Sequence, residues 1–319
     1  MRVVVFGAGA IGGLLGARLH QHGHDVALVA RGEHLGAIRA RGLTIEAPEG
    51  TSVADVRATD DVGTLGLSSD HVVLLTTKSQ HAAAALDAVA AAGAAPSIVC
   101  VQNGVQNERT ALRRFAKVYG ACVMCPASHL EPGVVHAHRG PIAGILDVGR
   151  YPAGVDATTE AVAAAFTESG FLSEPRPDIM RWKYTKLLLN LGNALEAACG
   201  PASRRSPLAA RARAEGIACL DAAGIAYASE AEDTARRGGT VPRPTGGPAR
   251  VGGSSWQSLQ RQTGNVEADY LNGEVVLLGR LHGVATPVNE LLQRLANDLA
   301  RRRAPPGSMS EADVARLLP

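Results

Sequence analysis

Arg2-Val3-Val4-Val5-Phe6-Gly7-Ala8-Gly9-Ala10-Ile11-Gly12 is the stretch on which the fold turns. A short β-rich run enters G-x-G-x-x-G directly, helix-spaced apolar residues continue from Ile11 to about His22, and a second β-rich run covers Asp25 to Ala30. Strand, glycine turn, helix and strand within about 30 residues form a βαβ unit, the context in which this motif binds a dinucleotide. Gly7 then makes the tight turn, Gly9 lets backbone approach a pyrophosphate and Gly12 lets the helix pack on the strand. Unpaired N–H groups at the helix start hold phosphates, so Gly7, Ala8, Gly9, Ala10, Ile11 and Gly12 are the candidate cofactor-binding loop. The plain alternative is a glycine-rich turn without a ligand.

Working outward, further strands are expected at His71 to Thr76, Ser97 to Val101 and Lys117 to Met124, with an Ala-rich helix from Ser79 to Ala92. Such alternation predicts a parallel sheet covered on both faces. Shorter strands are expected from Ala127 through Gly133-Val134-Val135 to Ile145. Pro175 and Pro177 favour an extended connection and place a domain boundary. Beyond it the pattern is helical: Asp178 to Gly200-Pro201, Pro207 to Arg237, then, after a Gly/Pro-rich loop from Gly238 to Gly253, Ser254 onward, about Val266 to Gly283, and Val288 to Arg303. The expected fold class is α/β: an N-terminal Rossmann-type parallel-sheet domain over 1–175, an all-helical domain over 176–304 and a loose tail over 305–319.

Composition narrows the function classes. A chain of 319 residues has room for two domains. With 32 cations against 30 anions the net charge is +2, so no basic surplus exists to wrap a phosphate backbone and nucleic acid is not expected. The longest small-apolar stretch, Ala82 to Ala95, is cut by Asp87 and falls short of the ~18–20 residues a membrane span needs. The opening apolar run is too short for a secretory signal. Five cysteines, an odd number, suit a reducing, cytoplasmic compartment. Only four cations are lysines, Lys78, Lys117, Lys183 and Lys186, against 28 arginines. Each lysine is therefore a candidate for work that arginine cannot do.

Cofactor choice is written after the second strand, where an acid would hold a ribose 2′-hydroxyl and an arginine a 2′-phosphate. Arg31 stands there and no carboxylate precedes Glu33, which predicts NADP(H); the alternative is an arginine that merely solvates a loop. Lys186 and Asn190 are i and i+4 on one predicted helix and share a face. A lysine desolvated in a cleft can donate a proton near neutral pH; otherwise Lys186 snorkels to the surface and Asn190 packs. Ser254-Ser255-Trp256-Gln257 reads as a capping box or as a helix start that receives a carboxylate. Glu267 lies twelve residues after Ser255, about 18 Å on an unbroken helix, but Thr263-Gly264-Asn265 is a break. Spacing alone makes Glu267 a complement to the next helix dipole. Asn103-Gly104 ends a strand on the ligand-binding edge of the sheet, or is a simple turn. Cys122-x-x-Cys125 with His129, His136 and His138 lacks a second matched pair, and no metal site is expected.

Taken together these segments resemble the ketopantoate reductase family over nearly the whole chain. The resemblance is carried by the glycine loop, Arg31, Thr77-Lys78-Ser79, Gln102-Asn103-Gly104, Lys186-Leu187-x-x-Asn190, Ser254-Ser255 and Glu267-x-Asp269-Tyr270-Leu271-Asn272-Gly273. It implies NADPH-dependent reduction of 2-dehydropantoate to pantoate, in pantothenate and coenzyme A synthesis. By it Arg31 and Lys78 contact the 2′-phosphate end of NADP, and Asn103 lies by the nicotinamide ribose and the substrate. Lys186 is the general acid, Asn190 and Ser255 bind substrate, and Glu267 hydrogen-bonds the substrate hydroxyl. The family's second asparagine falls on Ala194, with Asn193 one place early, which leaves open a same-fold reductase of another small 2-oxo acid. A non-catalytic NADP-binding sensor is the reading from outside enzymes. The expected partners are the small 2-oxo acid and, optionally, a second copy of the chain as a homodimer, with neither nucleic acid nor membrane.

Overall fold

Val3, Val4 and Val5 are buried without a gap, as a strand covered on both faces requires. The computed structural model describes residues 1–93, 95–238 and 252–318. Of these, residues 1–183 and 230–238 form one compact unit, and 184–229 and 252–318 a second.

The first unit opens with β1 (Arg2–Phe6), α1 (Ala10–Gln21), β2 (Asp25–Val29), α2 (Gly32–Arg41), β3 (Leu43–Ala47), β4 (Gly50–Ala54) and β5 (Arg57–Thr59). It continues through β6 (His71–Leu75), α3 (Ala82–Ala91), β7 (Ser97–Cys100), α4 (Asn107–Leu112), β8 (Val118–Met124), β9 (Ala127–Ser128), β10 (Val134–Ala137), β11 (Ile145–Arg150) and α5 (Ala157–Glu168). Seven strands form one sheet in the order β11-β8-β7-β6-β1-β2-β5. All pairings are parallel except β11 with β8. Val3 and Val5 join the core cluster of Leu14, Leu15 and Leu28, while Val4 joins that of Leu86 and Ile98. Successive side chains of β1 thus feed opposite faces, the period-two rule of a strand. A second sheet, β4-β3-β10-β9, packs on α1.

The expected parallel sheet is present, and the prolines mark something other than a linker. Leu172 to Arg176 runs extended beside β11: Leu146 N–H donates to the Leu172 carbonyl (2.8 Å) and Arg176 N–H to the Val148 carbonyl (2.7 Å). The first unit accordingly continues past residue 175 to Lys183, inside α6 (Ile179–Asn190). It also regains α9 (Glu230–Gly238). There Asp147 of β11, 2% exposed, accepts from Arg236 Nε (2.8 Å), Arg176 Nε (3.3 Å) and the Glu174 N–H (2.9 Å).

The second unit holds α7 (Asn193–Cys199), α8 (Pro207–Ala222), α10 (Ser254–Gln260), α11 (Asn272–His282), α12 (Pro287–Arg301) and α13 (Glu311–Arg316), so it is helical as expected. Two expected long helices are broken. The first stops at Asn190, where carbonyls at and just beyond its end find side-chain partners: Arg204 Nη2 donates to Leu189 O (3.3 Å) and Asn272 Nδ2 to Leu191 O (3.0 Å). The second divides after α8, where Gly224 takes φ +64°. The tail is not loose: Gly307 and Met309 N–H groups bond the carbonyls of Ala197 and Ala198, and Val314 of α13 is fully buried. Of the expected Gly238–Gly253 loop, residues 239–251 lie outside the described residues.

Candidate active site

The glycine turn is built as tightly as the motif demands. Gly7 takes φ +110°, and its N–H bonds the Val29 carbonyl of β2 (2.9 Å). A Cβ at Gly12 would run into the Gly7 carbonyl and the Thr76 hydroxyl. That hydroxyl itself donates to Gly7 O (2.7 Å) and Phe6 O (3.0 Å), joining the ends of β1 and β6. A Cβ at Gly9 would meet nothing within 4 Å, so open space faces the backbone where a pyrophosphate would approach. Gly9 is the N-cap of α1, no side chain caps it, and no acid stands in the first turn. The helix end thus keeps free donors and its positive dipole end for an anion. These residues fit a dinucleotide.

Arg31 and Lys78 stand at the same edge. Arg31 is exposed and follows the end of β2; Lys78, partly buried, follows β6. Those two strands flank β1, so two spacings of roughly 4.8 Å separate them. Long side chains span that interval. Asn103, partly buried, follows β7 and is succeeded by Gly104 at φ +79°, so the expected turn exists. The turn is tied down as well: Asn107 Nδ2 donates to the Asn103 carbonyl (3.3 Å) and to Ser79 Oγ (3.1 Å). Buried Asn107 was not a sequence candidate; it lies four residues after Asn103 on α4, a helix too short to announce itself by periodicity.

In the second unit Asn190, Ser255 and Glu267 are buried and Lys186 partly so. Lys186 and Asn190 share α6, as their spacing predicts. The expected capping box is absent: Gly253 takes the N-cap of α10 in extended conformation (φ −82°, ψ −169°), and Gln257 N–H closes the first turn onto its carbonyl (3.1 Å). Neither serine caps the helix. The expected chain break is present, with Gly264 at φ +76° and Thr263 Oγ1 donating to the Asn265 carbonyl (3.0 Å). Glu267 then begins a single 3-10 turn, Ala268–Tyr270, five residues ahead of α11, whose own first-turn acid is Glu274. Glu267 thus precedes that helix rather than standing in its first turn.

The departure at 193 and 194 changes meaning. The rotation of 100° per residue holds only along one helix, and α6 and α7 are separate. Asn193 opens α7 and is 3% exposed, and among the described residues its Oδ1 has no hydrogen-bond partner. The Cys122 and Cys125 thiols donate to the carbonyls of Trp182 and Ala143 (3.5 Å each). Among the described residues no helix is long and apolar enough to cross a membrane.

Comparison with known proteins agrees with this architecture along its length. Residues 3–152 match the model of ketopantoate reductase PanE/ApbA, and residues 178–300 that of its C-terminal domain. The 2-dehydropantoate 2-reductase of Halobacterium salinarum is 28% identical over 95% of this chain and 99% of its own. That of Pyrococcus horikoshii is 34% identical over 60% of this chain, and the match spans 61% of its length. A crystal structure of a PanE/ApbA family ketopantoate reductase from Ralstonia eutropha JMP134 superposes with a TM-score of 0.80 at 28% identity, covering 95% of this chain and 99% of that one. With both of its halves matched in order, the chain belongs to the ketopantoate reductase family.

Proposed function

We propose that this protein is an NADP-dependent oxidoreductase that reduces 2-dehydropantoate to pantoate. The observation that carries the reading is the ordered match of residues 3–152 and 178–300 to the two ketopantoate reductase models. Membership of this family supports a nicotinamide cofactor, and Arg31 with Lys78, at the ends of the strands beside β1, supports the phosphorylated form. When bound, the nicotinamide supplies a hydride to the 2-oxo carbon.

The chain's own groups do the rest. Gly7 to Gly12 and the start of α1 take the pyrophosphate, and Arg31 and Lys78 the 2′-phosphate. Lys186 points its ammonium at the substrate carbonyl oxygen, stabilises the negative charge that develops there and passes one proton to it, leaving a neutral amine that water reprotonates. Asn190 and Ser255 hold the substrate, Glu267 accepts from its hydroxyl, and Asn103 holds the ribose side. The test is NADPH consumption, followed by absorbance, against a panel of 2-oxo acids. Turnover of 2-dehydropantoate is expected; cofactor binding without turnover of any acid would refute the reading in favour of a sensor. A reductase of another small 2-oxo acid is the second reading, favoured by Asn193 standing where α7 begins, and turnover of a different acid alone would establish it.

A further inference from the structure

Lys183 on α6 and Glu108 in the first turn of α4 are 3% and 0% exposed, and Lys183 Nζ donates to Glu108 Oε1. The same ammonium donates to the Gln102 carbonyl at 3.1 Å. All three residues lie in the first unit. Strand β8 is bare at this point: a Cβ on Gly120 would come within 3.2 Å of Glu108 Oε1 and 3.3 Å of Lys183 Cδ. Cys100, the last residue of β7, adjoins the pair, and burial, with the Glu108 carboxylate adding to it, pushes its thiol well above the ordinary range. The pair is thus enclosed.

Stability is a poor reason for such a pair. Desolvating two full charges costs several kcal/mol each, and apolar residues of similar volume are often as stable or more so. Its geometry suggests a different role. Lys183 joins the root of α6 to the peptide between Gln102 and Asn103 and to the start of α4. From there Asn107 reaches the Asn103 carbonyl and Ser79 Oγ, so the two turns after β6 and β7 hang on one chain of bonds. Lys186 follows Lys183 by three residues on the same helix. An ammonium suits the enclosure, being compact with three rotatable donors, where a planar guanidinium is not. In a chain with 28 arginines, lysine at this position fits that need.

We propose that Lys183 and Glu108 are a positioning pair: without touching substrate, they hold the Asn103 turn and the root of α6, the helix that carries Lys186, in the conformations that cofactor binding and turnover need. The inference rests on the function proposed above, because Asn103 and Lys186 matter through it.

The decisive variant replaces both charges, Lys183→Met with Glu108→Leu, since Lys183→Met alone leaves a buried carboxylate without its partner. Native protein and variant are compared in Tm, in kcat and KM for 2-dehydropantoate, and in Kd for NADPH and for adenosine 2′,5′-bisphosphate, which lacks the nicotinamide half. The expected result is a Tm near native with kcat about ten- to a hundredfold lower, the cost of misplaced groups. NADPH Kd is expected to rise about tenfold, one lost hydrogen bond's worth, with the bisphosphate unchanged. Recovery of native kcat and NADPH Kd along with Tm would overturn the proposal, because a merely structural pair is replaceable. Should the double variant fail to fold, Gly120→Ala displaces the pair by a few tenths of an ångström. The same loss of NADPH over bisphosphate affinity is expected, and native values would overturn the proposal. If the native protein reduces no 2-oxo acid, the function reading falls while the two Kd values still decide the pair.

Discussion

His34 on α2 donates its Nε2–H to the carbonyl of Ala8, inside the glycine turn, at 2.7 Å. The Gly133 N–H, which can only donate, reaches His34 Nδ1 at 2.9 Å, so that nitrogen carries the lone pair and the tautomer follows from the geometry. The ring of His129 packs against it, centroids 4.1 Å apart. One neutral imidazole thus braces the dinucleotide turn against the second sheet.

Burial lowers the pKa of His34, and the Ala8 carbonyl opposes this only in part. The folded value lies below the free value of about 6.5, so folding favours the neutral form. Its contribution is complete above the free value and is lost as pH falls through the folded value, when a second proton would face the Gly133 N–H. NADPH affinity should therefore weaken more steeply below pH ~6.5 in the native protein than in His34→Gln, whose amide can donate and accept without titrating. The ligand's own phosphate titrates equally in both, so identical pH slopes of Kd would count against the bracing role.

Lys186→Ala should lower kcat by about two to four decades, the usual worth of a positioned general acid. Lys186 is only partly buried, so Tm should move little. Near-normal turnover would remove Lys186 from the chemistry.

Arg31→Ala should weaken NADPH by about ten- to a hundredfold, the value of a charged hydrogen bond to phosphate, and leave NADH nearly unchanged. Isothermal titration with both dinucleotides measures the ratio. An equal loss for both would mean that Arg31 does not read the 2′-phosphate.

Among the described residues the buried Asn193 Oδ1 has no partner, a standing cost of about 1–3 kcal/mol if nothing ever fills it. Asn193→Ala should hold or raise Tm while raising KM for the 2-oxo acid that the native protein turns over. An unchanged KM would show that the amide does not meet the substrate.

The glycine turn and the strands around it were legible because their signals are local: one motif, unbroken valines and a helix that starts at once. Asn193 shows where locality fails. Gly192 reads as tolerated within a helix, and the carbonyls around the break are met by Arg204 and Asn272, residues remote in sequence. Lys183 was conspicuous as one of four lysines, yet its partner lies 75 residues away, on a helix of six residues. The prolines after Glu174 signalled extended chain correctly. Only pairing with β11 distinguishes a sheet edge from a connector.

Asp147 carries a practical consequence for anyone dividing the gene. A fragment ending at residue 175 would retain this submerged anion and discard both of its counter-ions, Arg176 and Arg236. Stripping the partners from a buried charge costs about 3–5 kcal/mol, a large part of the 5–15 kcal/mol that keeps a typical protein folded. The nucleotide-binding half is consequently no contiguous cassette. Expressed without the stretch that returns to it at Glu230, it is expected to precipitate or melt early, and an excised piece must reach at least Arg236 to be electrically whole.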